Sequence, residues 1–405
     1  MKILILGIDG YLGWPLAQYL ANKGHEVSGV DDYSRRQFVK EMRSDSAIPI
    51  APMFKRREAF QDYYGYKPDF MEFNIYTSPI HLISMIRQVK PDTIVHFAEV
   101  PSAPFSMHSL QRARYVMTNN VIGTLGLLYA MKEAAPEAHL LKLGTMGEYG
   151  TPNCDIPEGF FHLTAMSKKD DVLRTAKLPF PRQAGSWYHW SKVHDSNNIM
   201  FACNIWGLRS TDIMQGVVYG TWIEEMEDDP RMRTRLDYDE SFGTVLNRFV
   251  CQAIIGHPLT VYGDVGKQTR GFLPLGDSMQ CLTLAIENAP EPGEYRVFNQ
   301  FEDVYSVIQL AEKVKAICSE IGMDVAIAHY EAPRVEAQEH YYNPENQKLL
   351  DLGYKPDMDM DAVIRIMIAD LLPNKDRIKS HKHVLIPEIF WNNENHVARK
   401  LDDEL

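Results

Sequence analysis

The chain has 405 residues, of which 45% are hydrophobic and 24% charged, and it carries a net charge of −12. This is the balance of a globular protein large enough for two lobes, and its acidity excludes wholesale binding to nucleic acid. Five scattered cysteines (Cys154, Cys203, Cys251, Cys281 and Cys318) show neither metal-ligand spacing nor a disulfide framework, and no apolar run is long enough to span a bilayer. The expectation is a cytoplasmic, metal-free, enzyme-sized protein whose first strand follows no signal peptide.

Residues 2–6 are almost wholly apolar and end at Gly7, the pattern of a buried parallel strand. Gly7, Gly10 and Gly13 follow at three-residue spacing, with Tyr11 and Leu12 between them, and a helix is expected over 11–23. Strand, glycine turn and helix N-terminus form a cradle for a pyrophosphate. Gly7 permits the tight turn, Gly10 the close backbone approach and Gly13 the packing of helix on strand. Residues 26–31 read as a second strand ending in acid. Asp31 or Asp32 is then placed to accept the ribose hydroxyls of NAD and to disfavour the phosphate of NADP. Arg35 and Arg36 either blur that exclusion or lie against adenine or phosphate.

Residues 33–67 are rich in Arg, Lys and aromatic residues without periodicity and read as a solvated, lid-like segment. A strand at 69–73, a helix at 79–89 and a buried strand at 92–97 lead to the loop 98–107, on the edge where doubly wound sheets hold ligands. A long helix over 111–134 and a strand at 139–143 deliver residues 144–150 to the same edge. The alternation predicts an α/β fold, a Rossmann-type doubly wound parallel sheet with helices on both faces.

Residues 151–185 read as a loop over the site. The helix over 188–206 carries Tyr188 and Lys192 four apart, on one face. An ammonium beside a phenol, with a cationic nicotinamide ring nearby, lowers the phenol pKa from about 10 and makes a base able to take a sugar hydroxyl proton. Residues 207–220 supply a strand and turn, 221–240 a loop, and 242–255 a helix. After 256 the elements shorten and polar clusters appear, as in a smaller substrate lobe. The expected division is a cofactor-binding unit at 1–220, a lobe at 221–360 from which some chain crosses back, and an extension at 361–405. The extension is charged except over 384–391, a patch expected to pack on the body or on a partner subunit.

The glycine loop, the acid after the second strand, Thr145 and the Tyr188–Lys192 pair together resemble the extended short-chain dehydrogenase/reductase superfamily. Several stretches resemble its UDP-sulfoquinovose synthase family: 142–153 with Thr145-Met-Gly-Glu148, 188–196, 215–220, 235–239, 256–263, 268–271, 296–301 and 333–337. The likeness is seen over about 1–360. It implies an NAD-dependent enzyme that oxidises C4 of a UDP-hexose, UDP-glucose in the first instance, eliminates the 6-hydroxyl across C5–C6, adds sulfite and returns hydride to C4.

Carried over by resemblance, Thr145 bonds the 4-oxygen, Tyr188 is the base, Lys192 holds the nicotinamide ribose and Glu148 is an acid/base for elimination; Glu148 read as a turn cap is the alternative. Asn74, Ile75, Phe97, Asn119 and Gln215 join the cofactor set. Glu99, Met146, Gln215, His189, Thr260, Tyr262, Arg270 and Arg334 form the substrate set, the two arginines as ligands of diphosphate or uridine. His189 also reads as a packing histidine, and Arg248 as one half of a salt bridge. A homodimer through the helices near 111–134 and 188–206 is implied as well.

The chain departs from the family at several positions. Where the family loop reads Glu-Gln-Arg-Ser-Ala-Pro-Tyr-Ser-Met, this chain has Val100, Pro101 and Phe105. Met214 replaces asparagine, and Pro274 and Gly276 replace aspartate and arginine. An arginine on that edge suits a sulfite or sulfonate, and proline offers neither charge nor donor. The departures are expected to cluster around the substrate. They leave open a 4-epimerase or 4,6-dehydratase without a sulfite step, and, further off, a non-catalytic NAD-binding regulator.

Overall fold

The strand at Lys2–Leu6 (β1) is apolar because it is covered on both faces. Ile3 and Ile5 point into one core cluster, with Trp14, Leu141, Ile213 and Phe298, and Leu4 and Leu6 into another, with Ile94, Leu128, Leu140 and Ile199. Four of the five β1 side chains are fully buried, each contributing about 1.5–3 kcal/mol of transfer free energy. The computed structural model describes residues 1–401 except 264, 338 and 393.

Around β1 lie Glu26–Asp31 (β2), Phe70–Glu72 (β3), Thr93–His96 (β4), His139–Thr145 (β5), Arg209–Gln215 (β6) and Tyr295–Gln300 (β7). All pair in parallel, in the order β3-β2-β1-β4-β5-β6-β7. The chain reverses its direction of winding between β1 and β4, which opens a crevice beyond the carboxyl ends of the strands. Register brings Thr145, Gln215 and Gln300 level at that edge. No helix among the described residues is long and apolar enough to cross a membrane.

A second core joins the helices Val245–Ile254, Val307–Glu320 and Met360–Leu371 through Phe249, Leu310 and Ile364. Beside it stand the pair Leu259–Tyr262 with Ile327–Tyr330 and the three-stranded sheet of Asp303–Ser306, Thr269–Pro274 and Val217–Tyr219. Residues 275–300 return to the large sheet as the helix Leu275–Glu287 and β7. The helix Met360–Leu371 belongs to the second core, so the lobe extends past 360.

Several segments differ from their sequence expectation. Residues 33–67 are not a solvated lid: the helices Ser34–Glu41 and Met53–Tyr64 bury Phe38, Val39, Phe60 and Arg56. Arg56 is hidden because its guanidinium meets Asp9 at 3.0 Å, the Arg233 carbonyl at 2.9 Å and the Trp14 ring at 4.9 Å. The helix expected over 111–134 is interrupted by a π-helical turn, Thr118–Ile122, that turns Asn119 and Asn120 inward. Within 151–185, Phe160–Met166 and Leu173–Pro179 form an exposed antiparallel hairpin. The irregular stretch 221–240 is largely buried, with Leu236 and Tyr238 in the second core and Arg235 paired to Asp237 at 3.0 Å.

Candidate active site

The crevice is one cleft of about 630 Å³ running from the glycine turn to the second lobe. Its first wall is backbone. Gly7 has φ +92°, and a Cβ there would stand 2.8 Å from the Phe97 carbonyl carbon. A Cβ on Gly13 would meet the Gly7 oxygen at 2.2 Å. The helix Gly13–Asn22 therefore sits directly on the turn, and its N-terminus, which has no side-chain cap, opens at Gly13 on the cleft wall, where the helix dipole favours an anion. This cradle, closed to side chains, fits a dinucleotide pyrophosphate.

At the end of β2 the Asp31 carboxylate accepts the Asp9 and Tyr33 N–H groups, both at 2.8 Å. Burial, then the neighbouring Asp9, pushes its pKa up to about 7. Asp32 accepts from the Ser34 N–H at 2.9 Å and from Asn74 Nδ2 at 2.7 Å, and Asn74 also reaches Asn119 Oδ1 at 3.0 Å. These four residues line the cleft with Tyr11, Leu12, Ile75 and Phe97, a set that fits an adenosine. Tyr11 gives its hydroxyl to the Gly220 carbonyl at 2.7 Å. The two arginines separate. Arg35 lines the cleft, bonded to Asp237 at 2.8 Å and stacked on Phe242 at 4.0 Å. Arg36 is off the cleft wall, clamped on Asp9 by bonds of 2.6 and 2.7 Å, so its expected place against the cofactor is corrected.

Thr145 ends β5 with its Oγ1 accepting the Gly147 N–H at 3.1 Å. Tyr188 opens the helix Trp187–Trp206, which Ser186 caps by accepting the His189 N–H, and the Tyr188 N–H donates to Ser106 Oγ at 3.1 Å. Lys192 Nζ donates to the Leu143 carbonyl at 2.6 Å and pairs with Glu99 at 2.8 Å. It stands 6.0 Å from the Tyr188 ring centre. Thr145, Tyr188, Lys192 and Glu99 all line the cleft. The expected lowering of the phenol pKa is not found in the chain by itself. Burial first, and the Glu99 charge second, push Tyr188 upward.

Glu148 does not reach the cleft, which corrects its assignment to elimination chemistry. It is fully buried and bonded to Lys142 at 3.0 Å and Ser196 at 3.0 Å, with Arg182 at 3.7 Å. Lys142 also meets Asp212 at 3.3 Å, making a closed ionic cluster beneath β5. The 3₁₀ turn Met146–Glu148 sends Met146 and Gly147 to the cleft and Glu148 away from it. His189 does face the cleft. Its Nδ1 lies 3.0 Å from Ser186 Oγ, and burial followed by Arg334 and Arg270 pushes its pKa down to about 3, so the ring is neutral.

At the far end stand Arg248, Arg270, Arg334, Tyr262 and Gln215. Arg270 pairs with Glu336 and meets His340 at 3.2 Å. Arg248 is not in a salt bridge among the described residues. It stacks 4.6 Å from the Tyr262 ring and bonds the Thr260 carbonyl at 3.4 Å. Thr260 is itself fully buried and tied to Gln252 at 2.8 Å, so it is no substrate ligand. Gln215 is bonded across the sheet edge to Gln300 at 3.0 Å.

The tail supplies a wall that sequence reasoning missed. Glu240 accepts the Glu388 and Ile389 N–H groups at 2.8 and 2.9 Å, fixing the strap that brings Ile389 and Trp391 to the cleft. Trp391 stacks under Arg334 at 5.3 Å. The apolar patch at 384–391 was the only signal, and it packs on the body.

The family departures do not cluster on the cleft as expected. Val100 is buried among Phe38, Phe105 and Phe242, and Met214 lies fully buried against Met146 and Tyr149. Pro274 and Gly276 lie off the cleft. Pro101 alone of these lines it.

A model of the NAD dependent epimerase/dehydratase family matches residues 3–299. The chain is 48% identical over 399 residues to the UDP-sulfoquinovose synthase of Sulfolobus acidocaldarius, covering 98% of this chain and 100% of that one. The chain belongs to the UDP-sulfoquinovose synthase family. The chloroplastic UDP-sulfoquinovose synthase of Spinacia oleracea is 45% identical over 390 residues, 96% of this chain and 79% of the relative. The first of these matches takes in nearly all of the tail, beyond the reach of the motifs. Among solved structures, the UDP-glucuronic acid 4-epimerase of Bacillus cereus, in complex with UDP-glucuronic acid and NAD, superposes with a TM-score of 0.65 at 20% identity, over 94% of this chain and 99% of that one. Membership makes this chain an NAD-dependent nucleotide-sugar enzyme, and the glycine cradle and the Asp31–Asp32 corner fit that cofactor.

Proposed function

We propose that the chain converts UDP-glucose and sulfite to UDP-sulfoquinovose through a 4-keto intermediate. The observation that carries this reading is the meeting of Thr145, Tyr188 and Lys192 on the strand edge beside the glycine cradle, in one cleft. Bound NAD+ supplies the hydride acceptor and donor. Tyr188 takes the proton of the 4-hydroxyl and later returns it, and the Thr145 hydroxyl holds the 4-oxygen. Lys192 is placed to hold the nicotinamide ribose. Arg248, Arg270 and Arg334 offer planar donors to the diphosphate or uridine. Neutral His189 faces the cleft beside the two arginines and is placed to hydrogen-bond the substrate.

The test is mass spectrometry of the product from UDP-glucose, with and without sulfite, in deuterated water. A sulfonated product that carries deuterium at C5 is expected. UDP-galactose without deuterium would instead identify a 4-epimerase, and a 6-deoxy-4-keto sugar in either reaction a dehydratase. Pro101 carries that second reading, because it removes a charge from the cleft wall. Tyr188→Phe should lower kcat by about 10²–10⁴-fold.

A homodimer is part of the proposal. Trp187, Trp190, Phe201 and Ile205 are exposed along one face of their helix, beside exposed Ile122, Leu125 and Tyr129. So wide an apolar stripe suits a second copy. The five free thiols suit a reducing compartment such as the cytoplasm.

A further inference from the structure

The ribbon of Phe160–Met166 and Leu173–Pro179 does not line the cleft, and it pairs with no other strand among the described residues. Its foot is packed, with Phe161 6.1 Å from the Phe180 ring. Beyond Phe161 every residue of both strands is exposed. An isolated two-stranded ribbon is marginal in water. Side chains alternate between its two faces. One face is polar, with Thr164 bonded to Thr175 at 2.8 Å and His162 opposite Lys177. The other carries Phe161, Leu163 and Ala165 opposite Leu178, Ala176 and Arg174. Arg174 is drawn back to Asp170 at 2.6 Å, and Leu163 and Leu178 are 45% and 39% exposed. That face is apolar and open.

The two outer edges are guarded unequally. A free strand edge invites pairing with another chain, and lysine, proline and other charged residues block it. Leu173–Pro179 carries Arg174 and Lys177 and ends in Pro179, which has no N–H to give. Phe160–Met166 contains no Lys, Arg, Asp, Glu, Pro or Gly. Its outward N–H and C=O groups form an uncharged edge with nothing to block a partner.

Self-complementarity selects the occupant. In an antiparallel pairing of this edge with its own copy, centred on Leu163, Phe161 meets Ala165, His162 meets Thr164 and Phe160 meets Met166, so no like charges are opposed. The same arrangement runs exposed Lys168 and Lys169 at each ribbon tip toward the foot of the other ribbon, where Asp155 is exposed. From Pro179 the chain passes through 180–186 straight to exposed Trp187, the first residue of the helix stripe proposed to receive a second copy.

We propose that the Phe160–Met166 edge pairs with the same edge of a second copy of this chain, making a four-stranded antiparallel sheet across a two-fold axis. A two-fold contact is closed, so the unguarded edge is used up and no filament grows from it. The proposal rests in part on the helix stripe as a surface between copies, and the two contacts are read separately.

The test uses the full-length chain with Cys154, the one exposed thiol among the described residues, changed by Cys154→Ser. At the centre of an antiparallel pairing a residue faces its own copy at about 4.5–5.5 Å between Cα atoms, inside the span of about 4.4–6.8 Å that a disulfide bridges. Mild oxidation should therefore link most of Leu163→Cys into a covalent dimer, and little of Ser167→Cys, which lies far from its copy in this register. Hydrogen exchange gives a second reading that needs no variant. In an unpaired ribbon the outward amides of 160–166 exchange freely. In the paired sheet they are bonded, and they should exchange at least about tenfold more slowly than the outward amides of 173–179. Crosslinking of Leu163→Cys no stronger than that of Ser167→Cys would overturn the proposal, and so would outward amides of 160–166 as fast as those of 173–179. The edge would then be open to water or kept for an extended segment of another protein. Failure of the helix stripe shows elsewhere, as a Phe201→Glu/Ile205→Glu variant that sediments like wild type.

Discussion

Asp31 and Glu148 are both carboxylates that sequence spacing placed at the site, and their surroundings give them different work. Asp31 sits on the cleft with a pKa raised to about 7. The folded chain therefore binds a proton there that the unfolded chain, with a pKa near 3.9, has already lost. Stability from this group is full below about pH 4 and is lost as the pH rises through about 7. NAD-free Asp31→Asn should accordingly show a smaller fall in Tm between pH 5 and pH 8 than wild type, while binding NAD more weakly. Glu148 is sealed in with Lys142, Ser196 and Arg182. Removing one member of such a cluster leaves a buried charge uncompensated, at a cost of about 3–5 kcal/mol. Glu148→Gln should lower the urea midpoint sharply, and the folded fraction should keep its pH–rate profile. A change in that profile without loss of stability would restore Glu148 to the chemistry.

At the scale of elements, the glycine turn was the most legible feature, because its meaning is local: the contacts that forbid a Cβ lie within the turn and at Phe97. Gly13→Ala should abolish detectable NAD binding in a titration followed by cofactor fluorescence, since its methyl would stand 2.2 Å from the Gly7 oxygen. The strands of the large sheet were equally legible as short apolar runs. The π-helical turn at Thr118–Ile122 was not, because its sequence has ordinary helical composition. It shows only in where Asn119 and Asn120 end up, one on Asn74 and the other on Val100 and Ser191. Residues 33–67 were misread for a related reason. Arg56 looks like a surface residue until Asp9 and Trp14 close around it.

For the whole molecule, the cleft is built from parts far apart in the chain: the turn at 7–13, the β5 edge, the helix Trp187–Trp206, the second lobe and the tail. Trp391→Ala removes the platform under Arg334 without opening the core. It should raise KM for the sugar nucleotide by about fivefold to thirtyfold, the size of a cation–π contact of 1–2 kcal/mol, with Tm nearly unchanged. Charging the outer stripe with Phe201→Glu and Ile205→Glu should give a monomer by sedimentation if the proposed homodimer uses that face.

By itself the sequence determined the α/β class and the NAD cofactor, and it singled out the glycine turn, Thr145, Tyr188 and Lys192 as the proposed site, since strand runs, glycine spacing and a four-residue helical step are local properties of the chain. Tertiary structure alone decided which charged groups face the cleft. It turned Glu148 and Arg36 away, paired Lys192 with Glu99, and brought Arg248 and Trp391 in. A charge finds its partner through space, and burial, which sets its pKa, belongs to the packed molecule and not to any stretch of the chain.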